Sequence, residues 1–333
     1  MDLSAGFAGI MLGAVLGFTF RRGRFCLNTA FRNILYIQNY TLFRSYLLSL
    51  VIAMAGSNLL EQSGILSLDQ GRQEFAWLAN VIGGYLFGVG MVLAGGCASG
   101  TWFRTGEGLI GSWMAALGFM LGAASIKTGA LAGVYAFLRG FVIAPDTALT
   151  IDGVFGINRW VIIAVVSAGA LAVVSSERTS LARTRGELTW RSAGLLIGAL
   201  VVLAWYVSFA ATGEAVGLSF TGPSEKALRA FTDAGAWDWE TAVLAGFPIG
   251  AFISARMMRE FAWRAPRADV IAQQFGGGLI MGMGGMLAGG CPIGHGITGI
   301  AALSVPSLVS MVFIVLGSWT MVYVLFMRSS SDE

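Results

Sequence analysis

Residues Gly84–Cys97 read GYLFGVGMVLAGGC, and residues Gly278–Cys291 read GLIMGMGGMLAGGC. Eight of these fourteen positions are identical without a gap, and Gly100 beyond the first cysteine matches Gly294 beyond the second. Self-similarity of this kind indicates a repeated architecture, and the shared Leu-Ala-Gly-Gly-Cys is more specific than a run of glycines. The two stretches therefore predict that the chain is built from two related halves.

The composition around this repeat is that of a membrane protein. Of the 333 residues, 56% are hydrophobic and 12% are charged, with a mean hydropathy of +0.74, whereas a soluble domain carries about 25% charged residues. The net charge of +3 gives no indication of nucleic acid binding. We predict an all-α, polytopic membrane protein with about nine membrane segments, each approaching the roughly 20 residues that cross a bilayer. They lie at about 6–20, 40–60, 77–96, 108–127, 160–176, 192–212, 241–256, 270–290 and 303–327, with an interfacial helix over about 128–143.

The loops between the segments differ in charge. Three loops and the C-terminal end are rich in arginine, whereas the other loops are acidic or mixed. We expect the protein to lie in the cell inner membrane. Because basic loops face the cytoplasm, its N-terminus should lie outside and its C-terminus in the cytoplasm. The first segment belongs to the mature chain, because its positive charges follow the apolar run whereas those of a signal peptide precede it. The clusters are Arg21, Arg22, Arg24 and Arg32; Arg178, Arg183, Arg185 and Arg191; Arg256, Arg259, Arg264 and Arg267; and Arg328.

The repeat register predicts an inverted pair. It matches four segments of the first half with four of the second and leaves 160–176 as a connector, so the second unit is turned upside down in the membrane. We predict a single membrane transport domain over 1–333, with one repeat over about 1–143, a connector over about 144–190 and a second repeat over about 191–328. Inverted repeats place a substrate site at their interface, near the middle of the bilayer.

The Gly-Gly-Cys turns are the candidates for that site. Gly96 and Gly290 precede Cys97 and Cys291, and paired glycines suit a helix that ends and turns. Two interpretations remain open, namely ordinary surface hairpins or re-entrant loops. Irregular backbone at membrane depth occurs only where it is buried in protein or lines a cavity, and the helix N-termini that follow would then favour an anion.

The three cysteines have no disulfide or zinc spacing, since no CxxC pair occurs. Cysteine is also a common small apolar residue in membrane helices, which is the simpler interpretation. In an apolar pore a thiol stays neutral, and its weak S–H donor suits the sulfur of a soft anion. Weak sites in series let an ion enter and leave. The residues allow a relay in the order Cys291, Cys97, Cys26 without requiring it, and the repeat register gives Cys26 the counterpart Phe220 instead of a cysteine.

Three motifs carry a resemblance over nearly the whole chain. Gly-Arg-Phe-Cys26-Leu-Asn-Thr-Ala-Phe-Arg, Ala-Gly-Gly-Cys97 and Ala-Gly-Gly-Cys291-Pro-Ile-Gly-His resemble the cysteine motifs of the YeeE/YedE sulfur-transport family. The resemblance implies an hourglass-shaped, two-fold repeated protein that imports thiosulfate. It further implies that the three cysteines contact the ion in turn through S–H···S hydrogen bonds. It also implies a separate, TusA-like sulfurtransferase as a cytoplasmic partner.

Three polar residues join the cysteines as candidates, each with a structural alternative. His295 either donates to the anion or makes a loop hydrogen bond at a helix start. Lys127 either lies on the pathway or extends to the membrane surface. Arg104 either attracts anions or pairs with Glu107.

Two function classes remain. A thiosulfate importer accounts for the matched cysteine turns, whereas a membrane thiol oxidoreductase or sulfur-transfer enzyme would use the cysteines covalently. The missing CxxC argues against the enzyme, and other sulfur or selenium species remain alternative cargoes. The sequence contains no recognisable motif for a metal or a cofactor. It contains no nucleotide-binding motif either, because the glycine runs lack the strand-turn-helix context of a phosphate loop.

Overall fold

The computed structural model describes residues 3–69, 72, 74–143, 149–176, 186–231 and 237–328. Arg178, Arg183 and Arg185 of the predicted basic loops lie outside these residues. The regular secondary structure of the described part is helical apart from one short antiparallel pair, Phe75–Ala76 with Val142–Ile143, and two isolated bridges. The helices are α1 (Leu3–Arg22), α2 (Leu27–Tyr36), α3 (Thr41–Gln62), α4 (Trp77–Leu93), α5 (Ala98–Gly106), α6 (Ile110–Lys127), α7 (Ala132–Arg139), α8 (Ile151–Phe155), α9 (Arg159–Ser176), α10 (Trp190–Thr212), α11 (Thr221–Arg229), α12 (Trp239–Met257), α13 (Ala268–Ala288) and α14 (Val305–Val322), with π-helical segments at Gly294–Gly299 and Tyr323–Met327.

The all-α membrane architecture is confirmed. Seven helical stretches among the described residues are long and apolar enough to cross a bilayer: Leu3–Tyr36, Thr41–Gln62, Trp77–Gly106, Ile110–Lys127, Trp190–Thr212, Ala268–Ala288 and Val305–Met327. Each of the nine predicted segments coincides with a helix, since α9 and α12 account for the other two. The number that crosses the membrane stays a prediction, as does the interfacial position of α7.

The packing of the long helices follows the repeat register, which pairs α1 with α10, α3 with α12, α4 with α13 and α6 with α14. Helix α1 packs along α12, and α3 packs along α10. Likewise α4 packs along α14, α6 packs along α13, and α4 and α13 pack on each other. When the halves are exchanged, the first contact becomes the second and the third becomes the fourth, while the contact between α4 and α13 maps onto itself. The division into two repeats and their opposite orientation stay predictions that this pattern supports.

Glycines let these helices approach backbone to backbone. A Cβ atom at Gly13 of α1 would lie 1.9 Å from the carbonyl oxygen of Val243 on α12, and one at Gly250 of α12 would lie 1.7 Å from the oxygen of Ala14. Lipid is as apolar as leucine, so membrane helices associate through such close van der Waals packing of small residues. Many of the 47 glycines in the chain thus serve helix contacts.

Two adjacent glycines of α13 give a matched test of this packing. A Cβ at Gly277 would lie 2.3 Å from the amide nitrogen of Ala94, whereas a Cβ at Gly276 meets nothing within 4 Å. We expect Gly277→Val to lower the melting temperature and the yield of monodisperse protein, because α13 must move away from α4. Gly276→Val should behave as wild type in size-exclusion chromatography and thermal unfolding. Equal behaviour of the two variants would contradict this account.

Candidate functional site

The three cysteines are buried in one continuous hydrophobic core, where Cys97 and Cys291 are inaccessible and Cys26 is 2% exposed. Each precedes a short helix. Cys26 is the N-cap of α2, and Cys97 is the N-cap of α5. Cys291 stands just before the helical turn that continues into Gly294–Gly299, and the Gly294 amide donates to its Sγ at 3.4 Å. The thiols therefore lie at helix N-termini, where unpaired amides favour negative charge.

The two Gly-Gly-Cys turns have the same backbone form. Helix α4 ends at Leu93 and Gly95 takes φ +74°, while α13 ends at Ala288 and Gly289 takes φ +87°. Glycine adopts this left-handed conformation without the steric cost that a Cβ adds. The second glycine of each turn is buried with its cysteine, and the first is half-buried. Burial in protein is the condition for irregular backbone within a membrane. Re-entry into the bilayer itself stays a prediction.

The predicted glycines Gly96 and Gly290 each lie against a polar side chain. A Cβ at Gly96 would be 3.2 Å from Nη1 of Arg104, and a Cβ at Gly290 would be 3.0 Å from Nε2 of His295. A larger residue at either position would therefore press on the guanidinium or the imidazole. The structure thus brings together, at each turn, a glycine and a polar side chain that the sequence proposed separately.

The thiols in contact are Cys26 and Cys97, whose Sγ atoms are 3.6 Å apart. The Ser99 hydroxyl lies 3.4 Å from the Cys97 sulfur. Gly100 leaves the space beside them, because a Cβ there would be 2.5 Å from the Cys26 sulfur and 3.5 Å from the Cys97 sulfur. The repeat register singled out Cys97 and Cys291 as equivalents, whereas the direct contact joins Cys97 to the cysteine that has no equivalent.

His295 is 1% exposed and is held by Ser307 of α14, whose hydroxyl lies 3.1 Å from its Nδ1. Its Nε2 finds no hydrogen-bond partner among the described residues. A buried polar nitrogen without a partner costs free energy unless a ligand or water completes it. Next to it, the Tyr46 hydroxyl donates to the carbonyl of Gly296 at 2.9 Å. Sequence reasoning missed Ser307 and Tyr46, since neither belongs to a motif.

Arg104 donates to the carbonyl of Gly95 and so braces the turn before Cys97. The sequence also offered Glu107 as a partner for Arg104. Glu107 is instead bound to Arg21 of α1, with 3.0 Å between Nε of Arg21 and Oε1 of Glu107. Arg21 is only 4% exposed and also pairs with Glu260. It therefore ties α1 to the end of α5 and to the loop after α12, beyond its predicted role in setting topology.

Lys127 pairs with a carboxylate that the sequence did not single out. Its Nζ lies 3.6 Å from Oε2 of Glu225 on α11, and Glu225 is fully buried. Arg229 lies on the same carboxylate, 3.5 Å away. The charge of Lys127 is thus matched within the protein, and whether it also touches a transported ion stays a prediction.

A second ion cluster joins α11 to the start of α12. The Nζ of Lys226 lies 2.6 Å from Glu240 and also binds Asp238. Burial alone would lower the pKa of Lys226, but the two carboxylates outweigh it and raise that pKa above its ordinary value. Burial would likewise raise the pKa of Asp238, but its bonds to Lys226 and Thr241 hold that pKa below the ordinary range. Both groups are therefore charged at neutral pH and anchor α11.

Two cavities adjoin the cysteine turns. The smaller, about 150 Å³, lies beside Cys291 and His295, and its lining includes Ser219, Gly222, Glu240, Gly289, Gly294, Thr298 and Ser307. The larger, about 540 Å³, reaches Thr29 of α2 and Phe103 and Arg104 of α5, beside Cys26 and Cys97. The smaller cavity offers hydroxyls and the larger one arginines. Together with the buried thiols they provide donor groups suited to a small anion.

These features define a multi-pass membrane protein with three buried thiols and two cavities lined by polar side chains near them. Residues 22–320 match the family model described as sulphur transport, and the chain belongs to that family. It is 36% identical to the thiosulfate transporter TsuA of Escherichia coli, over 96% of this chain and 95% of that protein. It is 34% identical to the thiosulfate transporter TsuA of Spirochaeta thermophila, over 96% and 99%. The probable transporter YedE of Escherichia coli is 29% identical over 34% of this chain and 27% of its own length.

Proposed function

We propose that this protein imports thiosulfate across the inner membrane. The similarity to two thiosulfate transporters over 96% of the chain supports the cargo. The observation that carries the mechanism is the set of three buried thiols, each preceding a short helix and two of them in contact. A neutral thiol donates weakly to sulfur without repelling a dianion, and weak binding lets the ion leave again.

The first step is binding beside Cys291. The smaller cavity supplies the hydroxyl of Ser219, and the unpartnered Nε2 of His295 lies at the Gly290 turn and carries a proton when Nδ1 accepts from Ser307. Neutral donors of this kind replace part of the water around an oxyanion, and hydrogen bonds to a charged group contribute about 1.5–3 kcal/mol each. The sulfur of thiosulfate then accepts from the Cys291 thiol.

The next steps pass the ion to Cys97 and then to Cys26. Because the two sulfurs are 3.6 Å apart, the ion exchanges one S–H donor for the next with little displacement. Beyond them lies the arginine-lined cavity, which draws the anion onward. We place this cavity on the cytoplasmic side, with the N-terminus outside and the C-terminus inside, because basic residues collect in the cytoplasm. A separate TusA-like sulfurtransferase would take the sulfur there.

Transport is tested with the purified protein in liposomes. We expect saturable uptake of radiolabelled thiosulfate down its gradient. Unlabelled thiosulfate should compete strongly and sulfate weakly, with sulfite and selenite added to define selectivity. Protein-free liposomes give the background. Uptake at that background would contradict transport, and equal transport of sulfate would contradict recognition by thiols.

The contact between Cys26 and Cys97 also favours a second candidate, an enzyme that uses thiols covalently. In such an enzyme a cysteine thiolate would attack the outer sulfur of thiosulfate, forming a persulfide and releasing sulfite. Mass spectrometry of the protein after uptake distinguishes the two functions. Thiols that stay unmodified throughout uptake support the relay, whereas a persulfide that forms on exposure to thiosulfate and is then consumed supports the enzyme.

A further inference from the structure

The larger cavity is strongly basic. Five arginines line it, contributed by the end of α1 and the loop after it, by α2, by α5 and by the start of α10, together with two glutamates. The arginines are Arg22, Arg24, Arg32, Arg104 and Arg191, and the glutamates are Glu107 and Glu187.

Both glutamates of this cavity are already paired. Glu107 is bound by Arg21, which does not line the cavity, and Glu187 is bound by Arg24. In the described part of the chain, the other four arginines of the cavity have no carboxylate within salt-bridge distance. The cavity therefore keeps a net positive charge.

Neutral groups hold several of these arginines in place. Arg22 donates to the carbonyl of Gly186 at 3.0 Å, and Arg104 donates to the carbonyl of Gly95. The guanidinium of Arg191 lies over the ring of Trp190, 5.2 Å from its centroid. These contacts orient the guanidinium groups without neutralising them. A low-dielectric wall around uncompensated charge focuses the field on the cavity.

The size and the donors of the cavity determine what it can distinguish. Its volume of about 540 Å³ far exceeds the roughly 30 Å³ that one water occupies in the liquid, so an oxyanion fits with part of its hydration shell. Guanidinium forks bind the oxygens of sulfate, thiosulfate and phosphate alike. No thiol is among the described lining residues, so nothing there recognises the terminal sulfur of thiosulfate.

We propose that the arginine-lined cavity is a second anion site, which binds divalent oxyanions by charge and does not distinguish sulfate from thiosulfate. Selectivity for sulfur then resides at the thiols alone. The role of this cavity as the exit of the pathway rests on the proposed function. Binding of sulfate in the cavity does not depend on that function.

The test is equilibrium dialysis of radiolabelled sulfate against the purified protein at low ionic strength. We expect sulfate to bind, to be displaced by unlabelled thiosulfate and phosphate, and to be released by added sodium chloride. The Arg32→Gln/Arg191→Gln double variant should bind at least tenfold more weakly. Arg267→Gln is the matched control and should bind normally, because Arg267 is 85% exposed, pairs with Asp269 and lies outside the cavity.

Two further measurements distinguish this anion site from the transport pathway and from a lipid-binding site. Cys97→Ala and Cys291→Ala should bind sulfate as wild type does, even if thiosulfate uptake is lost. Failure of sulfate to bind, or unchanged binding by the double arginine variant, would overturn the proposal. Displacement of sulfate by phosphatidylglycerol but not by phosphate would also overturn it, since the cavity would then be a lipid headgroup site.

Discussion

We expect uptake of radiolabelled thiosulfate to fall at least roughly tenfold in Cys97→Ala and in Cys291→Ala, while both variants insert and fold. Each thiol is fully buried, so alanine removes the donor and no water readily replaces it. Because S–H is a weak donor, its hydrogen bond to the ion lies at the lower end of the about 1.5–3 kcal/mol that bonds to charged groups contribute, and about 1.4 kcal/mol corresponds to tenfold in rate. The uptake rate falls by this factor if the ion accepts the thiol hydrogen bond in the transition state of the slowest transport step.

Serine variants distinguish the relay from covalent chemistry. Cys97→Ser keeps a small O–H donor at the position and should retain part of the uptake, whereas an enzyme that forms persulfides loses all of it. Uptake in liposomes is measured alongside size-exclusion profiles and melting temperatures. Normal uptake by both alanine variants would remove the relay from the mechanism.

Hydropathy and the repeat could predict the helices, because burial in lipid leaves a strong one-dimensional signal. Every predicted segment coincides with a helix, and the glycine-broken ends of α4 and α13 lie where Gly-Gly-Cys placed them. Local sequence also predicted that a helix follows Cys97 and Cys291, but it left open whether their turns are buried. These features depend on residues close together in the chain.

Contacts across the chain could not be predicted in the same way. The link between Cys26 and Cys97 spans 71 positions, and the register pointed to a different pair of cysteines. Glu107 binds Arg21, 86 positions away, because α1 packs against α5 and tertiary contact outweighs a weak local ion pair. The ion pairs of Glu225 could have been predicted in part. The repeat register pairs Glu225 with the apolar residue Phe31, and both side chains are buried. A carboxylate at such an apolar position needs cations beside it.

Gly100 is the position where the smallest change should have a large effect on transport. Its Cβ would lie 2.5 Å from the Cys26 sulfur, closer than the 3.0 Å below which real Cβ atoms are essentially never seen, and 3.5 Å from the Cys97 sulfur. In Gly100→Ala the Cys26 thiol must turn away, which separates the two donors. Alanine favours helix over glycine by about 0.5–1 kcal/mol, and this gain offsets part of the clash within α5. We therefore expect uptake at least tenfold lower with little change in melting temperature.

The equivalent glycine of the other half gives the matched comparison. At Gly294 a Cβ would lie 3.1 Å from the Ser219 hydroxyl oxygen, a side chain at the edge of the smaller cavity that can rotate. Gly294→Ala should therefore reduce uptake less than Gly100→Ala does, and Gly169→Ala should leave it unchanged because a Cβ there meets nothing within 4 Å. Uptake and thermal unfolding are compared for the three variants. Full uptake by Gly100→Ala would show that the ion does not need the Cys26 thiol beside Cys97, and equal losses at Gly100 and Gly294 would show that both turns limit passage alike.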